Sequence, residues 1–249
     1  MQQSNTYIIL FAIGLTVVFG GALSLASVGL KPLQDKQVEI DTKKKILGAV
    51  MDISAINDPN EILKVYSEKV SSIVVDINGN EIKNDEKGNA IVAEKVNIQK
   101  NSKFAPEERQ YPVFMFSENG SSVDAYILPT FGAGLWDWIS GYVALEKDLN
   151  TVMGVALDHK GETPGLGARI TDASVQSRYI GKKIFDEKGS LVGVNMLKGE
   201  GNSGLNDHQI DGMSGATITG KGVNAMLKSY LECYLAFIEK NKSQKTASL

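Results

Sequence analysis

The chain has 249 residues, of which 43% are hydrophobic and 22% charged, with a formal net charge of −3 and a pI of about 5.5. With this slight acidic excess, the chain lacks the strongly basic character that is typical of nucleic-acid-binding proteins. The single cysteine, Cys233, excludes internal disulfides and cysteine-rich metal sites. His159 and His208 are far apart in sequence, so each is expected to be a surface or core residue rather than a metal ligand.

The segment from Tyr7 to Leu30 is an uncharged run rich in Ile, Leu, Val, Phe, Ala and Gly. At a rise of about 1.5 Å per residue it is long enough to cross a hydrocarbon core of about 30 Å. A cleaved signal peptide fits less well, because the run exceeds the usual apolar region of such peptides and no Lys or Arg precedes it. We therefore expect a short tail over 1–6 and a retained transmembrane helix over 7–30.

The lysines after this span bear on its orientation. Lys31, Lys36 and Lys43–Lys45 follow it, while residues 1–6 offer only the α-amino group. Counted alone, these positive charges predict that the large domain stays in the cytoplasm.

Helices are predicted near both ends of the remaining chain. Asp35–Met51 and Asn60–Val70 have apolar residues at helical spacing, and a longer apolar stripe between residues 223 and 238 predicts one C-terminal helix. Cys233 borders that stripe and is expected to be a buried structural thiol. Asp172–Ile180 is predicted as a short helix capped by the Asp172 side chain.

Strands are predicted mainly in the middle of the chain. Ser72–Ile77 ends at an Asn-Gly-Asn turn, and Tyr111–Phe116 and Val123–Pro129 flank an Asn-Gly pair as a hairpin. Further strands are predicted over Gly141–Leu145, Thr151–Asp158 and Leu191–Leu197. Clustered strands with helices at both ends favour an α+β fold, in which one N-terminal transmembrane helix precedes a mixed α+β domain. We divide that domain into a membrane-proximal helical and mixed segment over 31–110, a core over 111–240 and a polar tail over 241–249.

The most informative motif is Asp211–Thr219, which reads D-G-M-S-G-A-T-I-T just before the C-terminal helix. Thr217 follows two small residues at the helix entrance, where free backbone N–H groups and the positive end of the helix dipole favour a phosphate. The stretch from Gly215 also fits G-x-x-x-x-G-K. A Walker A loop, however, needs Ser or Thr where Gly222 stands, and it also needs a preceding buried strand. An NTPase is therefore rejected, and a phosphate site at the helix entrance remains.

Two other glycine-containing segments are candidates for ligand contact. His159–Ala168 reads H-K-G-E-T-P-G-L-G-A, either a loop that approaches a ligand closely or a tight strand-to-helix connection. Phe131–Trp138 reads F-G-A-G-L-W-D-W, either an aromatic wall for a planar ligand or core packing. Glu162 has no evident carboxylate or histidine partner in sequence, so an acid–base catalytic pair is not predicted.

Together these motifs resemble a known family. Asp211–Thr219 matches the flavinylation pattern D-x-x-[ST]-G-A-[ST]-x-T at every fixed position and resembles the FMN-binding domain family. The E-T-P-G-L-G of Glu162–Gly167 and the G-x-G-L-W of Gly132–Trp136 resemble the same family, in the expected order. With the N-terminal span and the L-K-P-L-Q of Leu30–Gln34, nearly the whole chain resembles the C subunits of Na⁺-translocating NADH:quinone reductases.

This resemblance implies a flavoprotein without a catalytic residue or metal site of its own. In the family, FMN is esterified through its phosphate to the second hydroxyl residue of the pattern, here Thr217, by a flavin transferase that uses FAD and a divalent metal. Ser214, Gly215 and Ala216 would shape the acceptor loop, and Asp211 would be read by the transferase. The other residues expected at the cofactor are Met213, Trp136, Glu162, Thr163, Gly165, Leu166 and Gly167.

The resemblance also implies an electron relay within a multisubunit complex that couples NADH oxidation and quinone reduction to Na⁺ export. Its partners would be the other subunits of that complex, the flavin transferase and membrane lipid. The family places the FMN domain on the periplasmic side of the inner membrane, against the lysine count. We follow the family, because a large domain can be exported despite nearby positive charge.

Three other functions stay open on the sequence alone. The first is the G subunit of the homologous ion-pumping ferredoxin:NAD oxidoreductase, which copurified partners would distinguish. The second is a non-redox, membrane-tethered module that binds a phosphorylated ligand reversibly at the Thr217 loop. The third is a structural anchor in which the motif is only a helix entrance, so that Thr217→Ala would leave the activity of its complex unchanged.

Overall fold

The structure, a computed structural model, describes residues 4–85 and 87–246, with the backbone alone for 243–246. It divides into two compact units, one extending to Asp41 and the other beginning at Thr42.

The first helix, α1, runs over Asn5–Gly48 and contains the predicted transmembrane segment. Its most apolar window has a mean hydropathy of 2.4, so that by length and composition it can cross a membrane. A separate helix over Asp35–Met51 was the wrong expectation, because α1 continues through Pro32. A proline removes one backbone donor and crowds the carbonyl four residues earlier, but the hydrogen bonds of the neighbouring turns continue this helix past it.

The second helix, α2, covers Pro59–Lys69 and confirms the prediction over Asn60–Val70. Its start has local causes: the Asp58 carboxylate accepts a hydrogen bond from the Asn60 N–H at 2.9 Å, and Pro59 supplies a favourable first residue. Ile62 and Tyr66 are buried, so one face of α2 packs on the domain.

A five-stranded antiparallel sheet forms the centre of the second unit, in the order β1-β2-β3-β4-β5. Its strands are β1 Val70–Val75, β2 Tyr111–Phe116, β3 Ala125–Ala133, β4 Trp138–Glu146 and β5 Val152–His159. Phe114 pairs with Ile127 across the predicted β2–β3 hairpin, which is confirmed. The strands predicted over Gly141–Leu145 and Thr151–Asp158 are likewise paired neighbours. The mixed α+β fold is thus confirmed.

The sheet buries both of its faces. Consecutive strand residues point to opposite sides, so Val113 belongs to one hydrophobic cluster and Phe114 to the other. The Val113 side packs against the C-terminal helix, through residues such as Leu227. The Phe114 side packs against Leu47 at the end of α1 and Ile62 of α2.

Short helical segments connect the longer elements. They are the 3-10 turns Ala93–Lys95, Pro106–Glu108, Gly167–Thr171 and Ser177–Tyr179, with the one-turn helices α3 Ile98–Asn101 and α4 Ala173–Gln176. Asp172 stands at the N-cap position of α4, but its side chain makes no cap hydrogen bond, contrary to expectation. Its carboxylate lies 3.7 Å from the Arg169 guanidinium instead, and its backbone carbonyl accepts the Val175 and Gln176 amides.

The late strand predicted over Leu191–Leu197 is much shorter than expected. Only β6, Asn195–Met196, forms regular pairs, parallel to β7, Gln209–Ile210. Gly193 has φ +70° just before β6, a conformation that interrupts an extended strand.

Two helices stand where one long C-terminal helix was predicted: α5, Thr217–Cys233, and α6, Leu235–Thr246. They meet at Tyr234, which is buried and whose hydroxyl donates to the Pro112 carbonyl at 2.7 Å. The predicted apolar stripe still packs as one surface on the sheet. Cys233 is half-buried at the edge of that core rather than fully enclosed.

Candidate functional site

The three segments singled out in the sequence meet at one buried carboxylate, that of Glu162. One of its oxygens accepts the backbone N–H groups of Leu135 at 2.8 Å and Trp136 at 3.0 Å. The other oxygen accepts the hydroxyl of Thr219, in the first turn of α5. Glu162 is only 4% exposed. It therefore joins the β3–β4 turn, the loop after β5 and the start of α5.

The surroundings of Glu162 decide its charge. Burial raises the pKa of this carboxyl, but hydrogen bonds from Thr219 and from the Trp136 and Leu135 amides, with the nearby His159, outweigh it, so the pKa is lowered. The group is consequently ionised at neutral pH. Its hydrogen-bond partners are two amides and a hydroxyl, while its own N–H donates to His159 Nδ1 at 3.3 Å.

Two glycines make room for the Glu162 carboxylate. A Cβ on Gly134 would lie 2.5 Å from one carboxylate oxygen, and a Cβ on Gly167 would collide with the other oxygen and with the Thr219 hydroxyl. Any larger residue at either position would displace Glu162 from its donors. The glycines that the sequence suggested for close approach to a ligand thus serve, at these two positions, close approach to Glu162.

Thr217 is the first residue of α5 and follows Ala216 at the N-cap position. The first intrahelical bond is donated by the Gly220 N–H to the Ala216 carbonyl at 2.9 Å. Within the part of the chain that the structure describes, neither the Thr217 hydroxyl nor the N–H groups of 217–219 find a hydrogen-bond acceptor. Because Thr217 is half-buried, these donors form a partly open site at a helix N-terminus.

The residues just before Thr217 include both buried and exposed positions. Met213 and Ala216 are 2% and 5% exposed, so their side chains belong to the core and only their backbones can face a ligand. Ser214 and Gly215 are exposed. Gly215 has φ +73°, a left-handed conformation that L-residues rarely adopt, and this turns the chain into α5.

The loop after β5 lies against this turn. A Cβ on Gly215 would come within 2.7 Å of the Leu166 side chain, so the two segments are in contact. The Thr163 carbonyl accepts hydrogen bonds from the amides of Leu166 and Ala168, both at 3.1 Å, and Gly165, between Thr163 and Leu166, has φ +74°. Thr163 and Gly165 are exposed, so this hydrogen-bonded loop presents them to solvent.

Apolar side chains around these segments remain exposed. Trp136 is 70% exposed, which rules out core packing for it, whereas Trp138 is half-buried with its ring centroid 6.0 Å from that of Phe131. Leu166 is 41% exposed and Ile218 57%. These side chains give the site an apolar surface that a planar ring can cover.

The Asp211 carboxylate is engaged inside the domain. It accepts the backbone N–H groups of Gly201 and Asn202, both at 2.9 Å, and the Asn202 side-chain amide at 2.8 Å. These hydrogen bonds outweigh its burial and lower its pKa to about 2. Asp211 thereby fixes the start of the motif to the loop containing residues 200–202.

Three charged residues near the motif escaped the sequence reasoning. Arg178 donates to the carbonyl oxygens of Asp211 at 3.2 Å and Gly212 at 2.5 Å, and Arg169 pairs through two nitrogens with Glu200 at 3.0 and 2.8 Å. Hydrogen bonds from Arg169 and Arg178 lower the Glu200 pKa to about 2. Arg169 and Arg178 lie in two different 3-10 turns and Glu200 in the loop after β6. They match no motif, so only the fold brings them together.

The site fits FMN on these observations. The unpartnered donors at the start of α5 suit the phosphate of the cofactor, and the exposed apolar side chains suit its ring. The Thr217 hydroxyl belongs to the first residue of α5, and so lies beside the free N–H groups of 217–219. The Thr219 hydroxyl, by contrast, is buried and committed to Glu162.

Comparison with known proteins agrees with this interpretation. Residues 134–232 match the FMN-binding domain family. The C subunit of the Na⁺-translocating NADH-quinone reductase from Neisseria meningitidis is 32% identical over 256 residues, covering 96% of this chain and 95% of the relative. The corresponding protein from Pseudomonas aeruginosa is 30% identical and covers 97% of this chain and 99% of its own length.

Solved structures point to the same family. The crystal structure of the C subunit from Parabacteroides distasonis superposes with a TM-score of 0.70 at 33% identity and covers 84% of this chain and 96% of its own. The relatives are named as subunits of a redox enzyme complex, and the apolar α1 fits single-pass anchoring in a membrane. The chain therefore belongs to the family of C subunits of the Na⁺-translocating NADH-quinone reductases and contains its FMN-binding domain.

Proposed function

We propose that this protein carries one FMN on Thr217 through a phosphoester and relays electrons within a Na⁺-translocating NADH-quinone reductase. The observation that carries the proposal is the set of free hydrogen-bond donors at the N-terminus of α5. There a half-buried threonine with an unengaged hydroxyl follows Gly215 at φ +73° and adjoins backbone donors without acceptors among the described residues. Such a site suits a side chain bearing a phosphate.

The attachment chemistry follows from what Thr217 offers. With FAD as donor and a flavin transferase as catalyst, the Thr217 oxygen forms a bond to the phosphorus of the FMN half. The phosphoanhydride bond breaks, AMP leaves with its electron pair, and the hydroxyl proton passes to solvent. Bound FMN supplies one- and two-electron redox chemistry. A covalent link prevents its loss where no free FMN is available.

The chain's own residues hold and orient that group. The Thr217 oxygen and the amides of 217–219 would bind the phosphate. Gly215, with its left-handed φ, turns the chain into α5 just before these groups. Trp136 and Leu166 would cover the ring, and Glu162 fixes the loops that present both side chains. Thr163 and Gly165 would line the exposed rim. NADH oxidation, quinone reduction and Na⁺ export would require the other subunits of the complex.

Intact-mass and tandem mass spectrometry test the attachment directly. The wild-type chain, made in a host that has the flavin transferase, is expected to gain the mass of one FMN on Thr217. Thr217→Ser should keep the modification and Thr217→Ala should lose it, because only the first retains a hydroxyl. Ser214→Ala is the matched control at a neighbouring exposed hydroxyl. An unmodified wild-type chain, or FMN on any other residue, would overturn the proposal.

We further propose that α1 spans the inner membrane and that the FMN domain faces the periplasm. The support is family membership, and the lysines that follow the apolar run count against it. A cysteine at exposed Ser121, in a Cys233→Ser background, should react with a membrane-impermeant maleimide in spheroplasts. Labelling only after lysis would place the domain in the cytoplasm instead.

A further inference from the structure

The backbone before Thr217 is held from one side by a single arginine, Arg178. Its guanidinium donates to the carbonyl oxygens of Asp211 and Gly212, at 3.2 and 2.5 Å, and to the Ser174 carbonyl at 3.1 Å. All three of its nitrogens are engaged by these bonds and by the bond to Glu200 described next. An arginine placed in this way fixes the path of the main chain that it binds.

Glu200 fixes Arg178 in turn. One Glu200 oxygen lies 3.1 Å from Arg178 Nη2 and 2.8 Å from Arg169 Nη2, so two guanidinium groups share it. Arg178 Nη1, on the same guanidinium, donates to the Asp211 and Gly212 carbonyl oxygens. Glu200 is thus connected, through Arg178, to the main chain at Asp211 and Gly212.

The loop containing Glu200 is packed tightly against the same segment. A Cβ on Gly212 would overlap the carbonyl oxygens of Leu197 and Gly199, so the two backbones are in direct contact. The Asp211 carboxylate accepts the Gly201 and Asn202 amides. Asp211 and Gly212 are therefore held by backbone and side-chain contacts together, and Arg178 supplies the side-chain donors to their carbonyl oxygens.

We propose that Arg178 and Glu200 are positioning residues for flavin attachment. They hold the main chain at Asp211 and Gly212 in one conformation, so that the Thr217 hydroxyl that follows is presented to the flavin transferase in a reactive orientation. Neither touches the reacting atoms in this role: the Thr217 oxygen still takes the FMN phosphoryl group from FAD and releases AMP. The inference rests on the proposed attachment at Thr217.

The test measures the rate of FMN transfer to the full-length, unmodified chain in detergent, with purified flavin transferase, FAD and Mg²⁺. Arg178→Lys keeps the positive charge but loses the planar fork, and it should lower the turnover number about tenfold. The KM for the acceptor chain should change little, since the surface that the transferase meets is intact. Glu200→Gln should act in the same direction.

Arg109→Lys is the matched control. Arg109 also donates to two loop carbonyls, those of Phe104 and Ser102 at 2.8 and 2.9 Å, but outside the segments that make up the site. It should leave the transfer rate unchanged. Hydrogen exchange should show faster exchange over residues 211–216 in Arg178→Lys and in Glu200→Gln, and not in Arg109→Lys.

The outcomes separate this inference from the function on which it rests. If the wild-type chain takes no FMN at Thr217, the attachment itself is wrong. If the wild-type chain is modified and Arg178→Lys and Glu200→Gln match its rate, the attachment stands and the positioning role is refuted. Should Arg178→Lys fail to fold, as judged by its thermal midpoint, Glu200→Gln decides the matter alone. An equal slowing in Arg109→Lys would mean general destabilisation and would also refute the role.

Discussion

The hydroxyl of Thr219 donates to the buried carboxylate of Glu162, 57 residues earlier in the chain. Two residues before Thr219 is the hydroxyl of Thr217, which has no hydrogen-bond partner among the described residues. The first turn of α5 thus contains one threonine committed to the fold and one left available for chemistry. Burial accounts for the difference: Thr219 is 1% exposed and Thr217 is half-buried.

Thr219→Val should destabilise the protein more than an ordinary lost hydroxyl. The change leaves Glu162 buried and ionised with one donor fewer, a loss of about 1.5–3 kcal/mol for a hydrogen bond to a charged group. Thr130→Val is the control, because this equally buried threonine donates to a neutral carbonyl, that of Gly141, at 3.2 Å and should cost about 1 kcal/mol. Urea unfolding of the full chain in detergent, followed by tryptophan fluorescence, measures both. Equal losses would contradict the charged state of Glu162.

Acid should destabilise the folded protein through Glu200 and Asp211. The pKa values of Glu200 and Asp211 lie at about 2 in the folded protein, below their ordinary values of 4.5 and 3.8. Because a depressed folded pKa stabilises the protein above the unfolded value, that stabilisation is complete above about pH 5 and is lost as the pH falls towards 2. The thermal midpoint should therefore fall over this range. Asp211→Asn should flatten part of the fall, and Ser121→Ala, which removes no ionisable group from an exposed position, should not.

Gly215→Ala should be costly for two separable reasons. The left-handed φ strains any L-residue by about 1 kcal/mol, and the new Cβ would collide with Leu166. Gly204→Ala isolates the first cost, because Gly204 has φ +70° and open space around it. The midpoint of Gly215→Ala should lie below that of Gly204→Ala. The excess should shrink in the Leu166→Ala background; an unchanged excess would mean that the contact with Leu166 is unimportant.

Trp136 and Trp138 should respond differently to truncation. Trp136→Ala should change the free energy of unfolding by less than about 0.5 kcal/mol, since the side chain is 70% exposed. Trp138→Ala removes packing against Phe131 and should cost about 1 kcal/mol or more. In flavin-loaded protein, Trp136→Ala should alter the visible absorption spectrum and Trp138→Ala should not. A spectrum unaffected by Trp136→Ala would place the ring elsewhere.

Local patterns in the sequence predicted the regular elements well. The hairpin of β2 and β3 was predictable because two apolar runs flank an Asn-Gly turn, and α2 because its apolar residues recur at helical spacing. The N-terminal helix was predictable from composition, although its continuation past Pro32 was not. Proline marks a weakened turn in a sequence, and the hydrogen bonds around it decide whether the helix ends there.

The site was only partly predictable, because its contacts are long-range. The motif around Thr217 identified the helix entrance, but no spacing rule could pair Glu162 with amides 26 and 27 residues away. The break at Tyr234 has the same origin, since its hydroxyl is held by a carbonyl 122 residues earlier. Arg178 shows the limit most clearly: three of its hydrogen-bond acceptors are backbone oxygens, which no residue type in the sequence identifies.

The crowding around Glu162 also restricts how this protein can change over time. Gly134, Gly167 and Thr219 are each constrained by the same carboxylate, so the cost of substituting one of them depends on whether Glu162 is still present. Residues in one such network have strongly non-additive energies. A lineage that lost Glu162 would relax one constraint at three distant positions at once, and substitutions accepted there would then obstruct its return. Positions 134, 162, 167 and 219 should therefore be inherited as a unit.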